Sequence, residues 1–296
     1  MRLAVFTKNR TNPAYAAARL GAERAARPWG AEVEHFVPAT PDDPGEQCAL
    51  LEQAMAHKPD ALVLSPVHAA RIAPAVQRVA EHGVPIVGFV NPVEDAQSVA
   101  FVGADDVRLG RELAAYLFTH LGGTGTVLVV AGHEHSVTSL ARLRGFREAA
   151  LDYPGIRIAG LLTGDYDLNV ARHRASEWLA ANDPPHACFA ANDMMALGVL
   201  EAMEKAGCRA ATVGVNAIPQ AIAAVAQGRM LATADFNAMQ MACLATECAI
   251  RHVRGEAVPR HIELGAQIVT ASNCHDWMRP YEDRPILTLN DIAGTH

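Results

Sequence analysis

The chain has 296 residues, half of them hydrophobic and 19% charged, with a formal net charge of −7. That length suits two domains with buried cores and excludes an intrinsically disordered chain. The acidic balance argues against a nucleic-acid protein, which carries a basic surplus, and no apolar run reaches the roughly 18 residues of a membrane-spanning helix.

The elements follow in chain order. LAVFT (residues 3–7) reads as a strand and Ala14 to Arg27 as a helix. Between them lies a polar stretch, Lys8, Asn9, Arg10, Thr11 and Asn12, followed by Pro13. VEHFV is a strand, Gly45 to His57 a helix, ALVLSP a strand, Arg71 to His82 a helix closed by Gly83, and PIVGFV a strand. The pattern then restarts. Asp106 to His120 is a helix, LGGTG a turn, TVLVVAG a strand and Ser139 to Leu151 a helix. IRIAGLLTG, HACFAA, ATVGV and MLATADF are strands, alternating with helices over 169–181, 194–206 and 219–227. A helix over Met239 to Arg254 and a strand GAQIVTA remain to close the sheets. Short continuous apolar strands alternating with helices are the mark of parallel sheets covered on both faces. The expected fold is therefore α/β, in two serial doubly wound lobes.

The glycines of LGGTGTVLVV precede a strand, whereas a dinucleotide fingerprint follows a strand and opens a helix. They read as a helix C-cap and turn. No phosphate-binding, zinc-protease or nucleophile-elbow motif appears, and no cofactor is expected. The six cysteines (48, 188, 208, 243, 248 and 274) lack metal spacings and read as small buried hydrophobes, with a disulfide from Cys243 or Cys248 as the alternative. His133, Glu134 and His135 are consecutive in a loop and cannot all face one ion easily, so no metal site is expected.

In an open α/β sheet, ligands bind outside the carboxyl ends of the strands. The residues there are rich in Asn and Asp with occasional aromatics, a set suited to a neutral, hydroxyl-bearing ligand. Helix capping competes for the same residue types. Asp193, ahead of MMALGVLEAMEKAG, reads as a cap and Asn192 as a ligand group.

Several stretches resemble a known family: TNPAYAAARLGAERAA, DALVLSPVHAARIAPAVQRVAEHGVPIVGF, VAFVGADDVRLGRELAAYL, ARLRGFREAAL, CFAANDMMALGVLEAMEKAG and TVGVNAIPQAIAAVAQGRMLATA. They resemble the type I periplasmic binding proteins of the ribose-binding-like group, which share their fold with LacI-type effector domains. The resemblance covers roughly residues 2 to 272. It implies two lobes, 1–104 plus 235–265 and 105–234 plus 266–296, joined by three crossings and closing over a ligand in the cleft between them. Carried over position by position, the ligand residues are Lys8, Asn12, Tyr15, Ser65, Asn91, Arg142, Tyr166, Asn192, Asn216, Asp235 and Phe236. Tyr15 and Tyr166 stand where the family stacks aromatics on a sugar ring, and Arg142 lies in the R-x-x-G-F pattern.

Two departures stand out. Where the family commonly has acids after PIVGF and TVGV, this chain has Val90-Asn91 and Asn216. A lysine stands in the first loop. Fewer acids and one more donor-only cation suit a ligand with a carboxylate, a phosphate or several carbonyl-type acceptors.

The function the resemblance implies is that of a monomeric, non-catalytic solute-binding protein of an ABC importer for a sugar, polyol or sugar-like acid. Its partners are then the ABC permease membrane subunits and no nucleic acid. The alternatives are a ligand sensor and an enzyme using Lys8 as a Schiff-base residue, the latter without a base-and-acid pair at fixed spacing. MRLAVF shows no signal peptide, so the implied periplasmic location requires that one has been removed. The stretch after residue 272 has no assigned role.

Overall fold

The structure is a computed structural model that describes residues 1–93 and 98–293. The chain divides into two compact units. Unit 1 holds residues 1–104, 237–264 and 280–296, and unit 2 holds 105–236 and 265–279.

Unit 1 begins with strand β1 (Arg2–Phe6), helix α1 (Pro13–Ala26), β2 (Glu32–Phe36), α2 (Pro44–Ala56), β3 (Ala61–Leu64), α3 (Ala73–Glu81), β4 (Ile86–Phe89) and β5 (Ala100–Gly103). Unit 2 follows with α4 (Asp106–His120), β6 (Thr124–Ala131), α5 (Val137–Leu151), β7 (Gly155–Thr163), α6 (Leu168–Ala181), β8 (Ala187–Ala190) and α7 (Asp193–Lys205). It continues through β9 (Ala211–Val215), α8 (Pro219–Ala226) and β10 (Ala232–Asp235). Helix α9 (Ala238–Val253) and β11 (His261–Glu263) return to unit 1, β12 (Gln267–Thr270) lies in unit 2, and α10 (Leu289–Ala293) ends the described chain in unit 1.

The two sheets repeat one plan. Strand order is β2-β1-β3-β4-β5-β11 in unit 1 and β7-β6-β8-β9-β10-β12 in unit 2. The first sheet is parallel throughout, and the second is parallel except where β12 runs antiparallel to β10. In each, the strand that starts the unit has neighbours on both sides from consecutive βαβ connections. The switch point therefore falls between β1 and β3, and between β6 and β8, where doubly wound folds bind ligands.

The central strands are buried on both faces: all four residues of β3, β4 and β8 are buried, as continuous apolar runs require. On one face of the first sheet Phe6, Phe36, Leu62 and Leu64 pack with Leu51 from α2, Val76 and Val79 from α3, and Ile72 just before α3. In unit 2, α4 and α5 cross where Gly110 and Gly145 lie. A Cβ on Gly110 would come within 2.3 Å of the Arg142 carbonyl oxygen, so the close crossing requires glycine there, and it fixes the helix that carries Arg142.

The tail departs from expectation. Residues 280–293 lie on unit 1, not on the second lobe, so the chain passes between the units four times rather than three, after residues 104, 236, 264 and 279. Buried Gln240 on α9 donates to Leu287 O (2.6 Å) and accepts from Leu287 N (2.7 Å). Glu247 accepts from Leu289 N (2.7 Å), and Arg24 of α1 donates to Tyr281 O (3.1 Å) and Arg284 O (2.7 Å). The two helices thus satisfy the backbone of a segment that has little secondary structure of its own. Strands β5 and β11 were also not anticipated. All six cysteines are free thiols, four of them buried. Among the described residues, no helix is long and apolar enough to cross a membrane.

Candidate functional site

In unit 1 the polar stretch after β1 folds back on itself. Asn9 Oδ1 accepts from Asn12 N (3.0 Å), and Asn9 Nδ2 donates to Asp42 Oδ2 (2.8 Å). Asn12 caps α1 by accepting from Ala14 N (3.0 Å), with Pro13 at the first helical position, the arrangement in which a missing N–H costs nothing. Tyr15 is buried in the first turn of that helix.

Lys8 is only 4% exposed. Its Nζ lies 2.5 Å from the Asn91 side-chain oxygen, in the amide orientation that gives both groups a partner and lets the Asn91 nitrogen donate to Val90 O (3.3 Å). Asn91 reaches this place because Val90 has φ +68°, a left-handed conformation that a β-branched residue rarely adopts and that collects at functional sites. Lys8 and Asn91 are thus brought together, although they are far apart in sequence. Ser65 follows β3 and is fully buried. Its backbone donates to Phe6 O (3.1 Å) and accepts from Gln47 Nε2 (3.0 Å), and its hydroxyl has no protein partner.

In unit 2, Arg142 is buried rather than a surface arginine. Its Nε donates to Asp106 Oδ1 (2.6 Å) and its Nη1 to Ala191 O (2.8 Å), and its guanidinium lies 5.3 Å from the Phe236 ring centroid. Arg142, Phe236 and the backbone beside Asn192 therefore form one cluster. Asn192 caps α7 through Oδ1, which accepts from Met195 N (2.9 Å), while its buried Nδ2 has no protein partner. It is a cap and still has a donor to offer. Asp193 does not cap the helix, contrary to expectation. It is buried and accepts from Ile218 N (3.0 Å) and Thr233 Oγ1 (2.7 Å), joining β8, β9 and β10. Desolvation pushes its carboxyl from 3.8 up to about 7, opposed by these two hydrogen bonds.

Tyr166 has φ +58° and packs over Gly132, where a Cβ would come within 2.3 Å of the ring. Its hydroxyl lies 2.8 Å from Ser136 Oγ and 3.0 Å from Thr138 Oγ1. Burial pushes this phenol up, against the lowering pull of Arg142. Asn216 has φ +125°, and its N donates to Ala234 O (2.8 Å), beside Asp235. Asp235 Oδ2 accepts from Trp277 Nε1 (2.7 Å).

The sequence reading missed Gln47, Asp106, Ser136, Thr138 and Trp277. Only Ser136 and Asp106 had a signal, as polar residues at a helix start. His133 lies 3.2 Å from Asp165, and His135 lies 3.0 Å from Glu134, on the surface. No group of three or more His, Cys, Asp or Glu among the described residues is arranged to hold a metal ion.

Comparison with known proteins gives consistent matches. Residues 3–257 match the family described as periplasmic binding protein domain. The chain is 28% identical over 242 residues to the D-ribose/D-allose-binding protein of Pseudomonas aeruginosa, covering 77% of this chain and 75% of that one. It is 26% identical over 268 residues to a ribose import binding protein of Bacillus subtilis, covering 90% and 86%. A solved ABC transporter periplasmic solute binding protein from Actinobacillus succinogenes with bound D-allose superposes with a TM-score of 0.87 at 26% identity, over 93% of this chain and 99% of that one.

Proposed function

The chain belongs to the periplasmic binding protein family, and on that premise we propose that it is the solute-binding component of an ABC importer for a small sugar, polyol or related polar solute. The relatives support this reading: one is named for D-ribose and D-allose, one for ribose import, and one carries D-allose. The same reading places the chain in the periplasm as a monomer, gives it ABC permease membrane subunits as partners and no nucleic acid, and assigns it no catalytic residue. Binding alone suffices, through preference for the liganded conformation. No observation favours the sensing alternative.

One observation carries the proposal. Among the described residues, five buried side-chain polar atoms have no partner in the protein, and two of these are Ser65 Oγ and Asn192 Nδ2. They follow β3 and β8, which hold the same place in the two sheets, next to the switch points. The other three belong to His35 on β2 and to Thr246 and Arg251 on α9. A buried unsatisfied polar group costs about 1–3 kcal/mol, and a hydroxylated solute that bonds to it recovers that cost. A hydroxyl can give or take a proton and an amide nitrogen can give two, which fits a ligand bearing several hydroxyls.

The test is a thermal-shift panel of D-ribose, D-allose, polyols, sugar acids and sugar phosphates. A true ligand at 100 times its Kd stabilises by about 2.7 kcal/mol. Ser65→Ala is expected to leave the unliganded protein at least as stable and to weaken the active ligand about tenfold. A panel in which nothing raises the melting temperature would refute the reading.

A further inference from the structure

Asp235 closes β10, and its carboxylate is held from a segment that the family resemblance does not explain. The structure assigns Trp277 as a positioning residue of the solute site, fixing the Asp235 carboxylate for the ligand's hydroxyls. The assignment rests on the reading that Asp235 belongs to that site.

The segment around Trp277 brings its indole to the end of β10. Strand β12 pairs antiparallel with β10, with Gln267 opposite Asp235 and Thr270 opposite Ala232. After Thr270 the chain must turn back to reach Asp235. Asn273 makes that turn: its Oδ1 accepts from Thr270 N (2.7 Å) and its Nδ2 donates to Ile268 O (3.0 Å). A short 3-10 turn, Cys274–Trp277, follows, with Cys274 buried and the turn packed on α8. The indole is thereby carried back along the sheet edge until Nε1 lies 2.7 Å from Asp235 Oδ2.

An indole offers one donor and no acceptor, whereas a carboxylate has about four acceptor positions. Trp277 therefore fills one of these positions and holds that oxygen in place. The terminal torsion of an aspartate is broad and roughly two-fold, so a bond to one oxygen narrows the direction of the carboxylate. Fixed acceptors discriminate between epimers of one sugar, because a misdirected hydroxyl leaves buried groups unpaired. On the next residue, the Phe236 ring lies beneath the Arg142 guanidinium, so the strand end is braced from two directions.

The experiment is calorimetric titration of D-allose and D-ribose into the full chain and into Trp277→Phe, Trp277→His, Asp235→Asn and the double variant Trp277→Phe/Asp235→Asn. Trp277→Phe is expected to weaken the bound sugar about tenfold and to lower the melting temperature of the unliganded protein modestly, since the indole–carboxylate bond is lost there too. Trp277→His, which keeps a ring N–H, retains more affinity, and the double variant binds no more weakly than Asp235→Asn alone. The Trp277 indole N–H resonance shifts in Asp235→Asn. Trp277→Phe binding like the parent, or losses that multiply in the double variant, overturns the assignment while leaving the site reading in place. A parent that binds neither these sugars nor any other member of the panel of polyols, sugar acids and sugar phosphates, or Asp235→Asn binding like the parent, overturns the reading beneath it and the assignment with it.

Discussion

The two units share one strand order but furnish the ends of their strands differently. In unit 1 the candidate groups sit on loops. Lys8, Asn9 and Asn12 belong to one polar turn, Ser65 follows a strand, and Asn91 is placed by the left-handed Val90. In unit 2 the strongest groups are ionisable side chains already held by the protein: Arg142 by Asp106 and Ala191 O, Asp193 by Thr233 and Ile218 N, Asp235 by Trp277. A loop of side-chain amides can change its residues at small cost to the fold. A buried ion pair cannot, because removing one partner strands the other charge. Unit 2 thus has the character of a fixed platform and unit 1 that of a variable wall, although the chain departs from the family pattern in both, at Lys8 and Asn91 in unit 1 and at Asn216 in unit 2.

The sharpest way to break this contrast is Arg142→Ala. It leaves the largely buried Asp106 carboxylate without its guanidinium, and a loss of about 3 kcal/mol is expected from denaturant unfolding. A change below about 1 kcal/mol would mean that the pair is not structural and that unit 2 is no more fixed than unit 1.

The next test is pH. The folded carboxyl of Asp193 titrates at about 7 against 3.8 when unfolded. Between those values the unfolded chain has released the proton and the folded chain has kept it. This group's contribution therefore falls as pH rises from near 4 to near 7 and is flat above, with a slope approaching about 1.4 kcal/mol per pH unit. Asp193→Asn is expected to remove that slope. A stability profile identical to the parent's over the window would count against a buried acid in the platform.

Lys8→Met is the smallest stability change, at about 1 kcal/mol, because it takes one donor from the Asn91 oxygen. Its larger effect is expected on preference: thermal shifts for sugar acids and sugar phosphates decline relative to those for neutral sugars. An unchanged ranking across the panel would remove Lys8 from the specificity wall.

Much of this architecture is legible in the sequence because continuous apolar strands and helix signals are local. Asn12-Pro13 announces a cap, and ALVL announces a strand buried on both faces. HIE (261–263) does not announce a strand, since it has one apolar residue and exists by pairing with β5. The same distinction governs the site. Ser65, Asn192 and Asp235 stand at strand ends, where the fold rule directs attention. The bonds that orient them join residues far apart in the chain: Asp193 with Thr233, Arg142 with Asp106, Trp277 with Asp235. No spacing encodes those pairs. The exchange of roles between Asn192 and Asp193 is of this kind, because which of two adjacent residues caps a helix depends on what waits at β9 and β10 for the other.

The path of the tail has a practical corollary for anyone wiring this protein as a sensor. Because Gln240, Glu247 and Arg24 fasten the last described segment onto unit 1, residues 2 and 289 belong to the same body. A pair of fluorophores attached near residues 2 and 289 would both report on unit 1. One of the two labels must be inserted within unit 2, in residues 105–236 or 265–279, for a movement between the units to become a signal.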